Sequence, residues 1–362
     1  FTLFNQELSG LLGLDRIYLY IMIIDIFANL MTNFFETSNR FLYNYKKCVI
    51  FSVILSFSRI ILSLILTIAI PHNKLLGRVI GMMIPYGLVS LVLFCSFLLK
   101  GKEFINVYYW KIAVKFNIIL VPHYLSSTIL ASSDRVMIAK LVNDSKAGIY
   151  SICYSCAALM GLFFGAINSV YTPYTYRALR DKNYDELRIN TTLLVKMTMF
   201  AALLLILFSP EAIKIFAPIE YYEGIYMMPA LVVGIYLTFM YYLFSNIEFY
   251  YKKNIYVTIA TLIGALLNIS LNMILIPIFG YFAAAYTTLI GYSVMALLHY
   301  NFYRKTLNEK IYDMKKICLY LMNFILLSFT SLFFYPYFLI RLLIGLIILL
   351  VAYKNIKKMY NF

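Results

Sequence analysis

Eleven apolar runs, each long enough to be a membrane-crossing helix, dominate this chain. They fall at approximately 16–35, 46–70, 76–99, 112–133, 148–170, 191–209, 226–247, 255–278, 282–302, 317–335 and 337–353. A helix needs about 20 apolar residues to cross roughly 30 Å of hydrocarbon. Inside lipid every backbone N–H and C=O must be paired within its own segment, so these runs are expected to be helices rather than strands.

Composition closes off the alternatives. Of 362 residues, 63% are apolar and 13% charged, against about 25% charged in soluble domains. A soluble globule of this size cannot hide that much apolar surface, and a disordered chain would not contain so much to bury. The net charge of +15 would suggest nucleic acid in a soluble protein. In a membrane protein it points to cytoplasmic loops, and no nucleic-acid partner is expected.

The basic residues alternate with the runs. Six connecting segments (near 40–47, 100–115, 177–188, 252–253, 304–316 and 354–358) hold 21 of them. The other set holds eight: Arg16, Lys74, Arg78, Arg135, Lys140, Lys146, Lys214 and Arg341. The positive-inside rule then places the C-terminus in the cytoplasm, and eleven spans place residue 1 outside. The chain starts at Phe1 without a signal-peptide pattern, so the expectation is a fragment lacking an odd number of N-terminal spans.

Few side chains are available for metal or redox chemistry. Cys153 and Cys156 form a C-x-x-C, but no second cysteine pair or histidine cluster supports a metal site, and both read as small packing residues. His72, His123 and His299 are far apart in sequence. No connecting segment is long, which argues against a membrane polymerase or glycosyltransferase with an external catalytic domain. The chain is expected not to be an enzyme, and to have no catalytic residue and no metal ligand.

Ordered blocks from about residue 110 carry a family resemblance. Lys115 to Ile138 reads KFNIILVPHYLSSTILASSDRVMI, and Gly148-Ile149-Tyr150-Ser151 opens the next span. Phe208-Ser209-Pro210-Glu211 precedes Tyr221, Tyr222 and Pro229, and Asn268 to Thr288 reads NISLNMILIPIFGYFAAAYTT. In order and spacing these blocks resemble the polysaccharide flippases of the multidrug/oligosaccharidyl-lipid/polysaccharide (MOP) superfamily, of the O-antigen or capsule repeat-unit type. The chain departs from the family at Ala283-Ala284-Ala285, where a glycine often precedes paired alanines. Alanine also permits close helix approach.

The resemblance implies an all-α polytopic membrane protein, a two-lobe helical bundle around a central cavity, with about 11 spans present of a usual 14. Residues 1–99 would be the last three helices of the N-lobe and 100–111 a cytoplasmic linker between lobes. Residues 112–302 would form the six-helix C-lobe, and 303–362 two extra helices and a basic tail. The first three helices would then be missing, in agreement with the odd count read from charge.

Ionisable groups at bilayer depth cost about 2.5–3.5 kcal/mol and tend to face a cavity or a partner. Asp25, Arg59 and His123 lie near the middle of their runs. Arg59 could meet the diphosphate of a lipid-linked sugar with Asp25 setting its position, or the two could be a buried ion pair that fixes packing. His123 is either a hydrogen-bonded core histidine beside a Pro122 kink or a cavity group that carries protons. Asn268 and Asn272, spaced i, i+4 on one face, either bond neighbouring helices or contact sugar hydroxyls. Lys115 and Lys196 read as cytoplasmic-mouth residues. Asp134 and Arg135 read as a pair at the external helix end, a gate or a structural contact. Tyr150, Tyr154 and Tyr171 could stack on sugar rings, or Tyr150 and Tyr171 belong to the aromatic belts at the membrane interfaces.

The resulting expectation is a transporter of the bacterial cytoplasmic (inner) membrane. It would flip polyisoprenyl-diphosphate-linked oligosaccharide repeat units from the cytoplasmic to the outer face by alternating access. Its partners would be that substrate, membrane lipid and, as a candidate, a polysaccharide polymerase. No bound cofactor is implied, and coupling to H+ or to Na+ stays open. The alternatives are a cation-coupled multidrug exporter of the same superfamily and, less favoured, a membrane polymerase or glycosyltransferase.

Overall fold

A computed structural model describes residues 15–103, 105–307 and 309–360. The expected position of residue 1 lies outside the described residues. Every apolar run is helical. The order is α1 (Arg16–Phe41), α2 (Tyr45–Ala69), α3 (Lys74–Gly101), α4 (Val107–Ile118), α5 (Val121–Leu141), α6 (Asp144–Arg180), α7 (Tyr184–Leu207), the short α8 (Ser209–Phe216), α9 (Met228–Tyr250), α10 (Asn254–Phe279), α11 (Ala283–Thr306), α12 (Met314–Thr330) and α13 (Phe338–Tyr360). Among the described residues, ten helical segments are long and apolar enough to cross a membrane. The run at 282–302 forms α11, which has the length but is more polar.

The run at 112–133 is two helices rather than one. Pro122 has no N–H to offer the carbonyl four residues back, and its ring crowds that turn. The chain therefore breaks at Ile119 and Leu120, and α5 begins with proline in its first turn, where its missing donor is tolerated. The carbonyls near the break are met from α10. Thr258 donates its hydroxyl to the Ile119 carbonyl at 2.6 Å, and Asn254 donates to the Phe116 carbonyl at 3.1 Å. Four helix ends in the basic loops close through left-handed residues, Tyr43, Lys102, Lys182 and Lys252.

The chain divides into two compact units, Phe1–Trp110 and Lys111–Phe362. In the first, α3 packs against α2 and α1. The α2–α3 approach depends on glycine. A Cβ at Gly81 would lie 2.5 Å from the Ser63 Cα, and one at Gly77 2.5 Å from the Leu66 carbonyl oxygen. In the second unit α9 is the central helix, buried along most of its length and packed against α6, α7, α10, α11 and α12. Helices α10 and α11 approach closely where Gly264 and Gly291 face each other; a Cβ on either would come within about 3.3 Å of the other's carbonyl oxygen. That approach lets short polar side chains on α10 and α11 reach one another.

Candidate functional site

Helix α5 organises the polar interior of the second unit. His123, Leu130 and Asp134 recur at spacings of seven and four, so they share one helix face, and all three are buried. At one end of that face is a cavity of about 270 Å³. His123 and Ser127 from α5, Tyr154 from α6, Thr238, Tyr241 and Tyr242 from α9, and Tyr292 from α11 supply its polar lining. His123 Nδ1 lies 2.8 Å from the Thr261 hydroxyl of α10, and its Nε2 lies 3.5 Å from the Tyr241 hydroxyl.

At the other end, Asp134 is fully buried and fully bonded. Tyr150 donates to Oδ2 at 2.6 Å, Thr288 to the same oxygen at 2.5 Å, and Asn272 to Oδ1 at 2.5 Å. Asn272 also donates to the Asn268 oxygen at 3.3 Å and accepts from Thr287 at 2.5 Å. Asn268 accepts from Ser133 and donates to Thr288, both at 3.3 Å. One carboxylate with amide and hydroxyl oxygens is the donor type that hard cations take. Among the described residues no three His, Cys, Asp or Glu side chains converge as a metal site. The cysteines Cys153 and Cys156 are buried and free.

The two ends are joined by aromatic rings. Tyr150 stacks beside Tyr154 with centroids 6.0 Å apart, and Tyr154 and Tyr292 both line the cavity. Arg135 rests over the Tyr154 ring at 4.8 Å, with its Nε buried and without a hydrogen-bond partner. A buried pair sits next to this system. Glu248 of α9 and His299 of α11 are both 0% exposed, and His299 Nδ1 lies 2.9 and 3.0 Å from the two carboxylate oxygens.

The sequence-predicted residues therefore separate into three groups. His123, Asp134, Arg135, Asn268 and Asn272 come together in the second unit. Asp134 is not at a helix end: α5 continues to Leu141, because Arg135 finds an aromatic face and Asp134 finds three donors. Tyr150 and Tyr171 are buried rather than at an interface, Tyr150 on Asp134 and Tyr171 on Thr191. Asp25 and Arg59 belong to the first unit, and both reach Tyr86. Asp25 accepts from Asn29 at 3.0 Å, Tyr86 donates to Asn29 at 2.8 Å, and the Arg59 guanidinium lies 4.2 Å above the Tyr86 ring. No direct Asp25–Arg59 ion pair occurs among the described residues; a tyrosine joins them instead. Lys115 is exposed on α4, and Lys196 of α7 donates to Asn355 of α13 at 2.8 Å.

Two site residues had little signal in the sequence. Glu248 lies one residue past the end of its apolar run, beside the loop lysines Lys252 and Lys253, and His299 is 51 residues away on another helix. The available sign was a lone acid closing an otherwise uncharged apolar stretch.

These helices define a class: an all-α, multi-pass membrane fold with a polar interior. The chain is similar in fold to a solved structure described as "Lipid II flippase MurJ, inward closed conformation". The TM-score is 0.53 at 16% identity, covering 91% of this chain and 72% of that one. No protein-family model and no curated protein matches the sequence.

Proposed function

We propose that this protein is a flippase for polyisoprenyl-diphosphate-linked oligosaccharide repeat units. It would move them from the cytoplasmic to the outer face of the bacterial inner membrane, with its C-terminus in the cytoplasm. The observation that carries this reading is a polar, aromatic-lined cavity inside a helical unit, in a fold similar to that of a flippase for a lipid-linked substrate. Sugars and a diphosphate cannot cross hydrocarbon unaided. Four tyrosines and a histidine replace part of the hydration shell with hydroxyls and ring faces, and Arg135 stands behind Tyr154. In the first unit, Arg59 above Tyr86 is the group offered to a diphosphate, with Asp25 setting its polar surroundings. Alternating access would carry the headgroup across while the tail stays in lipid. An H+ or Na+ gradient is the source of drive, and a polysaccharide polymerase the next user of the product.

Complementation of a flippase-deleted bacterial strain tests the reading. Return of surface polysaccharide supports it. Restored drug resistance without polysaccharide would transfer the assignment to a multidrug exporter.

A further inference from the structure

Glu248 and His299 are the least expected pair in the molecule. Ionisable groups inside a membrane protein are costly and are retained where they pair or work. These two bind each other on helices α9 and α11 with no exposed surface on either side chain. The contact accounts for the carboxylate and for Nδ1. It leaves His299 Nε2 buried and without a hydrogen-bond partner. A clamp between helices needs no ionisable partners, and an unsatisfied ring nitrogen weakens it.

The surroundings connect the pair to the cavity. The Tyr241 ring packs on the His299 ring with centroids 4.6 Å apart. The Tyr241 hydroxyl lies 3.5 Å from His123 Nε2, and both Tyr241 and His123 line the cavity. The pair is therefore one side chain away from the cavity. Among neighbouring titratable groups, Tyr241 on α9 packs on His299 and lies within 3.5 Å of His123 on α5. From α10, Tyr256 is stacked on Phe302. From α6, Tyr176 lies against Tyr250, two residues past Glu248. The lysines of the adjoining loop, Lys252 and Lys253, are exposed.

We propose that Glu248 and His299 form a proton-binding site that exchanges with the cavity past Tyr241 and His123. Gain and loss of one proton there would accompany the transport cycle. With one proton, held by either partner, the pair is neutral. When that proton leaves to water, a net negative charge remains in an apolar interior, which is tolerable only while water reaches it. Proton occupancy is thereby linked to whether the cavity is hydrated. No other bond changes in the step: the proton arrives from water and returns to water. The inference deepens the flippase reading by naming one coupling ion and its site, and rests on that reading for the role of the proton, not for its binding.

The probe is the proton itself. The purified full chain in lipid vesicles, with glutamate side-chain carboxyls labelled with carbon-13, is titrated between about pH 5 and pH 9 while infrared carboxyl bands are recorded. The label separates glutamate from Asp134. The expected result in the unmodified protein is one protonated-glutamate band that titrates apart from the exposed glutamates. It should vanish in Glu248→Gln. In His299→Asn its midpoint should move by about one pH unit or more, tenfold in proton affinity. Absence of such a band from the unmodified protein would overturn the proposal without any variant having to fold. A band unmoved by both substitutions would overturn it too. No lipid-linked sugar is needed, so failed complementation and failed titration are separate results.

Discussion

Tyr150 donates its phenolic hydrogen to Asp134 at 2.6 Å, and neither side chain reaches the surface of the second unit. The bond joins α6 to α5, and through Asn272 and Thr288 the same carboxylate holds α10 and α11. Four helices thus depend on one buried carboxyl group. The cavity lies on the same α5 face, so its shape depends on how that carboxylate is satisfied.

Removing either end of the Tyr150–Asp134 bond should have unequal effects. Tyr150→Phe deletes one donor and leaves Asp134 with two, a loss of about 1 kcal/mol. Asp134→Ala strands three buried donors, a loss on the order of 3 kcal/mol or more. Thermal unfolding in detergent should rank Asp134→Ala well below Tyr150→Phe. Equal stability of the two would show that the cluster is not organised around the carboxylate.

Close packing in the first unit makes a second comparison. Alanine at Gly81 would put a Cβ 2.5 Å from the Ser63 backbone, whereas at Gly101 nothing lies within 4 Å. Gly81→Ala should force α2 and α3 apart and destabilise by about 1–3 kcal/mol. Gly101→Ala should be neutral or slightly stabilising, since alanine favours helix. Thermal stability of the two variants checks this, and an unaffected Gly81→Ala would mean that the helices pack less tightly.

How far the sequence could be read depended on whether a residue's partner is local. Helix positions were legible because apolar length is a local property; so was the effect of Pro122, although it breaks the helix rather than kinking it. Asn268 and Asn272 were found because their spacing is a helix face. Asp134 was misplaced because hydropathy stops a span at its first charges, and the donors that let α5 continue come from residues 16, 138 and 154 positions away. Glu248 and His299 each look unremarkable alone, and only the α9–α11 packing makes them a pair. Asp25 and Arg59 lie on consecutive helices, and the tyrosine that links them lies on a third, where neither residue's local sequence points to it.

The short α8, itself outside the spans, is tied to α13 by Glu211 and Arg341. The guanidinium binds both carboxylate oxygens, at 2.5 and 2.6 Å, and also the Leu207 carbonyl. Partial burial alone would push the Glu211 carboxyl up, but the Arg341 contact outweighs it and holds the group below the usual glutamate range. A carboxyl lowered by folding contributes stability that is present above its unfolded range and is lost as pH falls through its folded value. Glu211→Gln should therefore cost on the order of 2 kcal/mol near neutral pH. The difference from the unmodified protein should shrink as pH drops below the ordinary glutamate range. A stability gap independent of pH would assign the contact to packing instead of charge.

Arg59 gives the sharpest test of the transport reading in the first unit. Its guanidinium lies over the Tyr86 ring, whose hydroxyl bonds Asn29 and so reaches Asp25. If that cation meets a diphosphate, Arg59→Ala should abolish surface polysaccharide while membrane protein levels stay normal. Arg59→Lys should keep part of the output, because an ammonium also binds an aromatic face but cannot grip phosphate with a planar fork. Tyr86→Phe keeps the ring under Arg59 and removes the hydroxyl's bonds to Asn29 and Thr32, so its output should fall less than that of Arg59→Ala. Wild-type polysaccharide from Arg59→Ala would remove this residue from the substrate path and leave it as a packing cation over Tyr86.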